Sequence, residues 1–220
     1  VNNKGKAVAL FNIGKEPITN GMNILGAHID SPRIDLKANP LYESEGFAYF
    51  DTHYYGGIKK YQWVTLPLAL HGVVVKKDGT KIDINIGEKE DDPVFGITDL
   101  LPHLAGEQMK KESAKLIEGE NLDIIIGNKP LSNNSEEKND EKEEIKTNIL
   151  NILKEQYDIT EDDFLSAEIE AVPAGKARDF GLDRSMIMAY GQDDRVCAYT
   201  SLEAFLQIED TKKTLSCILV

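Results

Sequence analysis

Apolar runs separated by turn signals mark both ends of the chain as alternating strands and helices. Residues 6–11 and 22–27 are largely apolar and predict two strands, the second of which ends at His28. Towards the other end, residues 185–189 predict a strand, and apolar residues recur at helical spacing over 195–208 and predict a helix. This alternation is typical of an α/β fold.

The middle of the chain has a different pattern and predicts a β-rich region. Alternating polar and apolar residues over 81–86, after a Lys-Asp-Gly-Thr turn, predict a hairpin with the apolar run 72–75. Residues 166–172 predict another strand, and 145–157 predict a helix. Residues 31–46 hold two prolines and a glycine among charges, which predicts a loop. We therefore expect a β-rich insertion between two α/β segments.

The most polar segment is residues 132–146. It contains six acidic residues and three lysines but a single apolar residue, which is too little to bury. This composition predicts a mobile solvated loop, with a tail that binds a partner as the alternative interpretation. Residues 160–163 then predict the beginning of a short helix.

The charge of the chain narrows the classes of partner. Its 220 residues include 25 Lys and Arg against 38 Asp and Glu, giving a formal net charge of -13 and an isoelectric point near 4.8. Such a field repels nucleic-acid phosphates and anionic lipid, so we expect neither nucleic acid nor membrane as a partner. Cys197 and Cys217 are the two cysteines, and their apolar settings without a CxxC pair favour a reducing, cytoplasmic location.

The two ends of the chain carry a separate expectation. No basic-then-apolar leader and no apolar run long enough to span a membrane occurs in the sequence. Residues 215–220 form an apolar run with no turn after it, as expected of a buried strand cut midway. We therefore expect this chain to be a piece of a longer protein.

The first candidate for chemistry is His28, which ends a buried strand and has Asp30 two positions on. An imidazole at a strand's carboxyl end, with a carboxylate that fixes its tautomer, has the parts of a metal ligand and its orienting acid. The alternative interpretation is a structural histidine that is satisfied by a neighbouring aspartate.

The second candidate is the Asp193-Asp194 pair, between an apolar run and a predicted helix. Two adjacent carboxylates repel each other unless they share a cation, and one carboxylate can bridge two metal ions. Aspartate is also a favoured cap at a helix N-terminus, so one of the pair can be structural. Both candidates follow predicted strands of an α/β fold, which places them at the same sheet edge if the middle is an insertion.

These motifs together resemble the aspartyl aminopeptidase family, which consists of dinuclear zinc exopeptidases of the MH clan. The resemblance is carried by four stretches in order, namely Gly26-Ala-His-Ile-Asp-Ser-Pro-Arg33, Tyr55-Gly-Gly57, Leu101-Pro-His-Leu-Ala105 and Asp193-Asp-Arg195. It implies a zinc exopeptidase-like mixed sheet flanked by helices and interrupted by a β-rich dimerisation insertion. Residues 1–47 and 173–220 would form the catalytic α/β domain, and 48–172 the insertion.

The resemblance also assigns roles in the site. His28 matches a zinc ligand, Asp30 the catalytic acid that orients that imidazole, and Asp193 the carboxylate that bridges two zinc ions in each complete subunit. A one-residue shift of the alignment would give the bridging role to Asp194. Relatives also have a cis peptide bond after the bridging aspartate, so we expect one between Asp193 and Asp194.

The resemblance further implies groups that these 220 residues lack. A Glu-Glu pair, a further Asp and a terminal His would complete the site, and one Glu would act as the general base. Since a catalytic zinc normally takes three protein ligands, we expect the chain alone to be inactive.

The chain has three other histidines, at positions 53, 71 and 103. Family members bring a histidine from the insertion of a neighbouring subunit into the active site, and our alignment places that position near Glu107. His103, a few residues earlier, is therefore a possible substrate-site residue, with a structural role in an apolar turn as the alternative. His53 and His71 are interpreted as structural because neither has a carboxylate at ligand spacing.

The function expected from the resemblance is zinc-dependent removal of the N-terminal residue from peptides, through attack of a water that bridges the two metals. The partners would be a peptide substrate and further copies of the chain, as a dimer and a larger homo-oligomer. A deacylase or carboxypeptidase of the same clan, and a non-catalytic assembly protein that kept the fold, remain alternatives.

Overall fold

The computed structural model describes residues 1–131 and 143–220. In these residues the elements, in chain order, are β1 (Asn2–Asn3), β2 (Ala7–Asn12), β3 (Asn23–Ala27), β4 (Arg33–Ser44), β5 (Phe47–Tyr55), β6 (Leu68–Val75), β7 (Lys81–Ile86), β8 (Ile124–Gly127), α1 (Glu144–Tyr157), β9 (Ala167–Pro173), β10 (Arg178–Phe180), β11 (Met186–Met188), α2 (Gln192–Leu206) and β12 (Leu215–Leu219). Short 3₁₀ helices are formed by Ile18–Asn20, Lys60–Gln62, Gln108–Lys110, Ser113–Lys115, Gly119–Asn121 and Glu161–Ser166.

The chain divides into two compact units. The first consists of Val1–Ser31 and Arg178–Val220, and the second of Pro32–Ala177. This division differs from the predicted boundary at residues 47 and 48, because Arg33–Ser44 is a strand of the second unit's sheet.

The first unit is a mixed sheet with a helix packed against it. Its strands lie in the order β1, β2, β12, β3, with β12 antiparallel to β2 and parallel to β3. Helix α2 covers β12 and β3, and their apolar side chains form a small core. The core contains Ala198, Leu202, Phe205, Leu215, Cys217 and Leu219 together with Val8, Leu10, Leu25 and Ala27. The predicted mixed α/β sheet is therefore confirmed.

The second unit is built on a six-stranded antiparallel sheet. The strand order is β7, β6, β9, β4, β5, β8, and the longest pairing joins β4 to β5, followed by that of β6 with β9. Apolar residues that alternate along these strands, such as Ile34 and Val74, are fully buried on one face. The hairpin of β6 and β7 confirms the alternation seen over 81–86.

One local prediction was wrong, and a second is contradicted only at its end. Residues 33–44 form β4 rather than a loop, because a register shift between Leu36 and Leu41 places Pro40 at an irregularity where no ladder hydrogen bond is needed. Most of the predicted solvated loop at 132–146 lies outside the described residues, but Glu144, Ile145 and Lys146 belong to α1. Ile145 is buried, and Glu43 accepts hydrogen bonds from the Ile145 and Lys146 amides at 3.0 Å each.

Helix α1 ends at a residue in the left-handed conformation, Asp158, with φ of 55°. The next helical turn begins with a capping box, because Asp163 accepts hydrogen bonds from the amide and hydroxyl of Thr160 at 2.8 and 2.7 Å. The short helix expected from residues 160–163 is therefore present as the 3₁₀ helix Glu161–Ser166. Among the described residues, the structure has no helix with the length and apolarity to cross a membrane.

Candidate metal centre

His28 lies directly after β3, at the carboxyl end of that strand. The amide of Ile29 donates to the carbonyl of Val220 at 2.7 Å, and the amide of Val220 donates to the carbonyl of Ala27 at 3.1 Å. The residues on both sides of His28 are thus hydrogen-bonded to Val220, so the sheet fixes the position of the His28 backbone.

The two aspartates lie at the beginning of α2. Gly191 precedes the helix with φ of 77°, and both Asp193 and Asp194 depart from helical backbone angles. The peptide bond between them is cis, as the resemblance predicted. The cap position at the beginning of α2 is occupied by Gly191, which has no side chain, so neither aspartate is the cap residue there.

The strand before the aspartates forms at the predicted residues but does not belong to the sheet that contains β3. Residues 186–188 form β11, which pairs with β10 in a separate two-stranded hairpin rather than with β3 or β12. The Asp193-Asp194 pair still reaches His28, because α2 packs on β3 and β12 and brings its N-terminus to the end of β3.

The three side chains converge on one point. His28 Nε2 lies 3.2 Å from Asp194 Oδ2 and 3.8 Å from Asp193 Oδ1. Ligand atoms of all three lie within 4.8 Å of one another, and they form the only such group in the described part of the chain. The prediction that His28 and the aspartate pair come together is therefore confirmed, although more than 160 residues separate them.

Asp30 fixes the orientation of the imidazole. Its Oδ1 lies 3.1 Å from His28 Nδ1. Since an ionised carboxylate can only accept, Nδ1 carries the proton and Nε2 faces the two aspartates. Desolvation alone would lower the pKa of His28, but the charge of Asp194 and the hydrogen bonds with Asp30 outweigh it and raise that pKa.

The two aspartates differ in their surroundings. The side chain of Asp193 is 88% exposed, whereas that of Asp194 is 13% exposed. A hydrogen bond to Asp194 raises the pKa of the Cys197 thiol, so Cys197 remains a protonated donor beside that carboxylate. Asp194 is therefore held by its neighbours, and Asp193 is the more open of the two.

The backbone around the aspartates is bound by three side chains that donate to carbonyl groups. Ser31 Oγ donates to the carbonyl of Asp193 at 3.1 Å, Arg195 Nη1 to that of Tyr190 at 3.2 Å, and Gln192 Nε2 to that of Ile187 at 3.3 Å. Ser31 belongs to the Gly26–Arg33 motif, but the sequence does not indicate a role for it, because its hydrogen-bond partner lies 162 positions away.

The donor set fits a zinc ion. With Nδ1 protonated, the lone pair of His28 Nε2 faces two carboxylates, an arrangement that is stable only when a proton or a cation lies between them. Ligand atoms about 2.1 Å from one zinc ion lie about 3.4 Å apart in tetrahedral geometry, which is close to the two distances found here. One imidazole with carboxylates is also a set of ligands that zinc accepts.

The three other histidines for which the sequence predicts a role lie in the 32–177 unit. His103 is exposed in a turn that is closed by a hydrogen bond from the Leu104 amide to the Leu101 carbonyl. His53 is exposed on β5, and His71 Nε2 lies 2.9 Å from Glu88 Oε1. None of them belongs to the group described above.

Comparison with known proteins assigns the family. The family described as Aminopeptidase I zinc metalloprotease (M18) matches residues 1–220. The chain belongs to this family. The resemblance found in the motifs is therefore confirmed, and the likeness extends along the whole of this chain.

Individual M18 proteins agree with this assignment. Probable M18 family aminopeptidase 1 of Clostridium acetobutylicum is 62% identical over 219 residues, which are 100% of this chain and 46% of the relative. The crystal structure of aminopeptidase I from that organism has a TM-score of 0.90 at 60% identity, covering 100% of this chain and 47% of that one. The M18 aminopeptidase structure from Thermotoga maritima has a TM-score of 0.89 at 52% identity, covering 99% and 46%.

A more distant solved structure shares the fold alone. The S. cerevisiae mApe1 dodecamer has a TM-score of 0.66 at 17% identity and covers 99% of this chain and 48% of that one. In all these comparisons, the chain spans about half the length of the curated relatives it matches.

Proposed function

We propose that the whole protein to which this chain belongs is a zinc-dependent aminopeptidase that removes the N-terminal residue from peptides. The observation that carries this proposal is the convergence of His28, Asp193 and Asp194, with Asp30 behind the imidazole, in a member of the M18 family. His28 and Asp193 would hold the metal, with Asp194 as the alternative or additional carboxylate.

Each side chain has a definite task in this proposal. Asp30 keeps the proton of His28 on Nδ1, so that Nε2 is available as a ligand. The open position of Asp193 suits a carboxylate that contacts two ions, whereas Asp194 is held close to Nε2. Two zinc ions per complete subunit would acidify a water and polarise the scissile carbonyl. The remaining ligands and the general-base glutamate are expected in parts of the protein outside these 220 residues.

We also propose that the protein self-associates through the 32–177 unit, as a dimer and a larger homo-oligomer. Two facts support this: the related mApe1 is described as a dodecamer, and large apolar side chains are exposed between residues 94 and 109. These are Val94, Leu100, Leu101, Leu104 and Met109. His103 lies within this stretch, so a neighbouring subunit could receive it or Glu107 near its substrate.

We further propose a cytoplasmic location, which is supported by the two cysteines being free thiols.

The test uses the full-length protein and three measurements: bound zinc, release of the first residue from a free peptide, and cleavage of an N-acylated amino acid. We expect zinc to be present and the free peptide to be cleaved, whereas an acetylated peptide and the N-acyl amino acid are not. His28→Ala should lose most of the zinc and the activity, because a zinc site cannot spare an imidazole ligand.

The matched control is His53→Ala, which removes an exposed histidine of the other unit and should keep both zinc and activity. Cleavage of the N-acyl substrate in place of the peptide would favour the deacylase alternative. A protein without zinc, whose His28→Ala variant behaves as wild type, would favour a non-catalytic assembly protein.

A further inference from the structure

Ser31 connects the two segments that carry the candidate metal ligands. We propose that Ser31 is a positioning residue that holds the Asp193-Asp194 segment at the right distance from His28. Its hydroxyl donates to the carbonyl oxygen of Asp193 at 3.1 Å, across 162 positions of sequence. The inference rests on the zinc site proposed above and adds to it a residue outside the proposed set of metal ligands.

The acceptor of this hydrogen bond is the peptide unit that joins the two aspartates. Any shift of the Asp193 carbonyl moves both carboxylates, because both side chains branch from the backbone on either side of it. Ser31 itself follows His28 by three residues, at the end of the segment that β3 and Val220 fix. While the packing of α2 brings the two segments together, this hydroxyl joins the segment of the imidazole directly to the peptide unit between the two carboxylates.

The local backbone is shaped to admit this hydroxyl. A Cβ at Gly191 would lie 3.1 Å from Ser31 Oγ and 3.4 Å from the guanidinium carbon of Arg195, and Gly191 has φ of 77°. Arg195 Nη1 meanwhile donates to the carbonyl of Tyr190. The turn is therefore held at Tyr190 from one side and at Asp193 from the other.

Loss of the hydroxyl should affect metal binding more than folding. Ser31 is only partly buried and its side chain is small, so alanine at this position leaves no sizeable cavity. Groups that orient metal ligands typically change metal affinity about 10- to 100-fold when removed. Since Ser31 acts on a backbone carbonyl rather than on a ligand atom, we expect the lower end, about tenfold weaker zinc binding.

The experiment measures zinc affinity of the full-length protein by competition with a chromophoric chelator, and the visible absorption of the Co²⁺-substituted protein. Four variants are compared with wild type: Ser31→Ala, Ser31→Thr, Ser185→Ala and His28→Ala. Ser31→Thr keeps the hydroxyl. Ser185→Ala is the matched control, because Ser185 is an exposed hydroxyl of the same unit that donates to Asp183 at 3.1 Å.

We expect Ser31→Ala to bind zinc about tenfold more weakly and to change the Co²⁺ spectrum, with an unfolding temperature of the metal-free protein within about 2 °C of wild type. Ser31→Thr and Ser185→Ala should bind zinc as wild type does. Wild-type affinity in Ser31→Ala, or an equal loss in Ser31→Thr or Ser185→Ala, would overturn the role of Ser31. If instead His28→Ala keeps wild-type affinity, the zinc site itself is wrong.

Discussion

Replacing Gly72 by alanine should open the six-stranded sheet of the 32–177 unit. Gly72 lies in β6 with φ of 155°, and a Cβ at this position would lie 2.0 Å from the carbonyl oxygen of Glu168 and 2.8 Å from the Cα of Ile169. Both atoms are backbone of β9, so no side chain can rotate away to relieve the contact. Strand β6 would have to move about 1.5 Å from β9 to reach an ordinary van der Waals distance.

The cost follows from that movement. Neighbouring strands lie about 4.8 Å apart, so a shift of about 1.5 Å breaks about two ladder hydrogen bonds, each contributing about 1 kcal/mol. Alanine at a φ that favours glycine adds about 1–3 kcal/mol. We therefore expect the opening free energy of this part of the sheet to fall by about 3–5 kcal/mol, which corresponds to amide exchange roughly 10²- to 10⁴-fold faster.

Hydrogen–deuterium exchange of the full-length protein, read by mass spectrometry over β6 and β9, measures this opening. Two other glycines of the same unit separate the causes, because a Cβ at Gly79 or Gly57 meets nothing within 4 Å. Gly79 has φ of 87°, so Gly79→Ala should cost only the backbone term, about 1–2 kcal/mol. Gly57→Ala should be neutral or slightly stabilising. The reasoning is refuted if Gly72→Ala exchanges no faster over β6 and β9 than Gly79→Ala.

Two further predictions concern Asp30 and Asp158. Asp30→Ala should weaken zinc binding by about 10- to 100-fold, and Asp30→Asn by less, because the amide oxygen still accepts from His28 Nδ1. Competition with a chelator measures the zinc affinity of both variants. Equal affinities of Asp30→Ala and wild type would contradict the orienting role of Asp30. Hydrogen bonds and charges of Lys154 and Lys76 lower the pKa of Asp158 to about 2, from a usual value near 3.8. A carboxyl whose pKa is lower in the folded protein than in the unfolded chain stabilises the fold at any pH above the unfolded pKa. This contribution of Asp158 is therefore lost as the pH falls from about 3.8 to about 2. Asp158→Asn should flatten the decline of the melting temperature in that window, and a decline as steep as that of wild type would contradict the assignment.

The pattern of apolar and polar residues predicted those secondary-structure elements that are stabilised by contacts between residues close in sequence. The alternation over 81–86, the helical spacing of α1 and the capping residues at 160–163 all report interactions within a few residues, and each was found in the structure. The prediction failed for β4, because a strand with an irregularity at Pro40 is stabilised by pairing with β5 and β9 rather than by its own sequence.

The chemistry of the candidate site could also be predicted in part. The residue types of His28 with Asp30, and of the Asp193-Asp194 pair, allow a metal site but also a structural role, and the resemblance to the aspartyl aminopeptidase family favours the metal site. The pairing of β11 with β10, and the hydrogen bond from Ser31, could not be predicted, because each depends on which segments the packing of α2 brings together.

The sequence by itself thus determined which residues have side chains of the types that zinc accepts, since that chemistry is a property of the side chains and their immediate neighbours. Only the tertiary structure decided that His28 Nε2 faces both aspartates within 3.8 Å. The reason is that β12 joins β3 in parallel and buries the apolar face of α2, and this burial moves residues more than 160 positions apart to one end of a sheet.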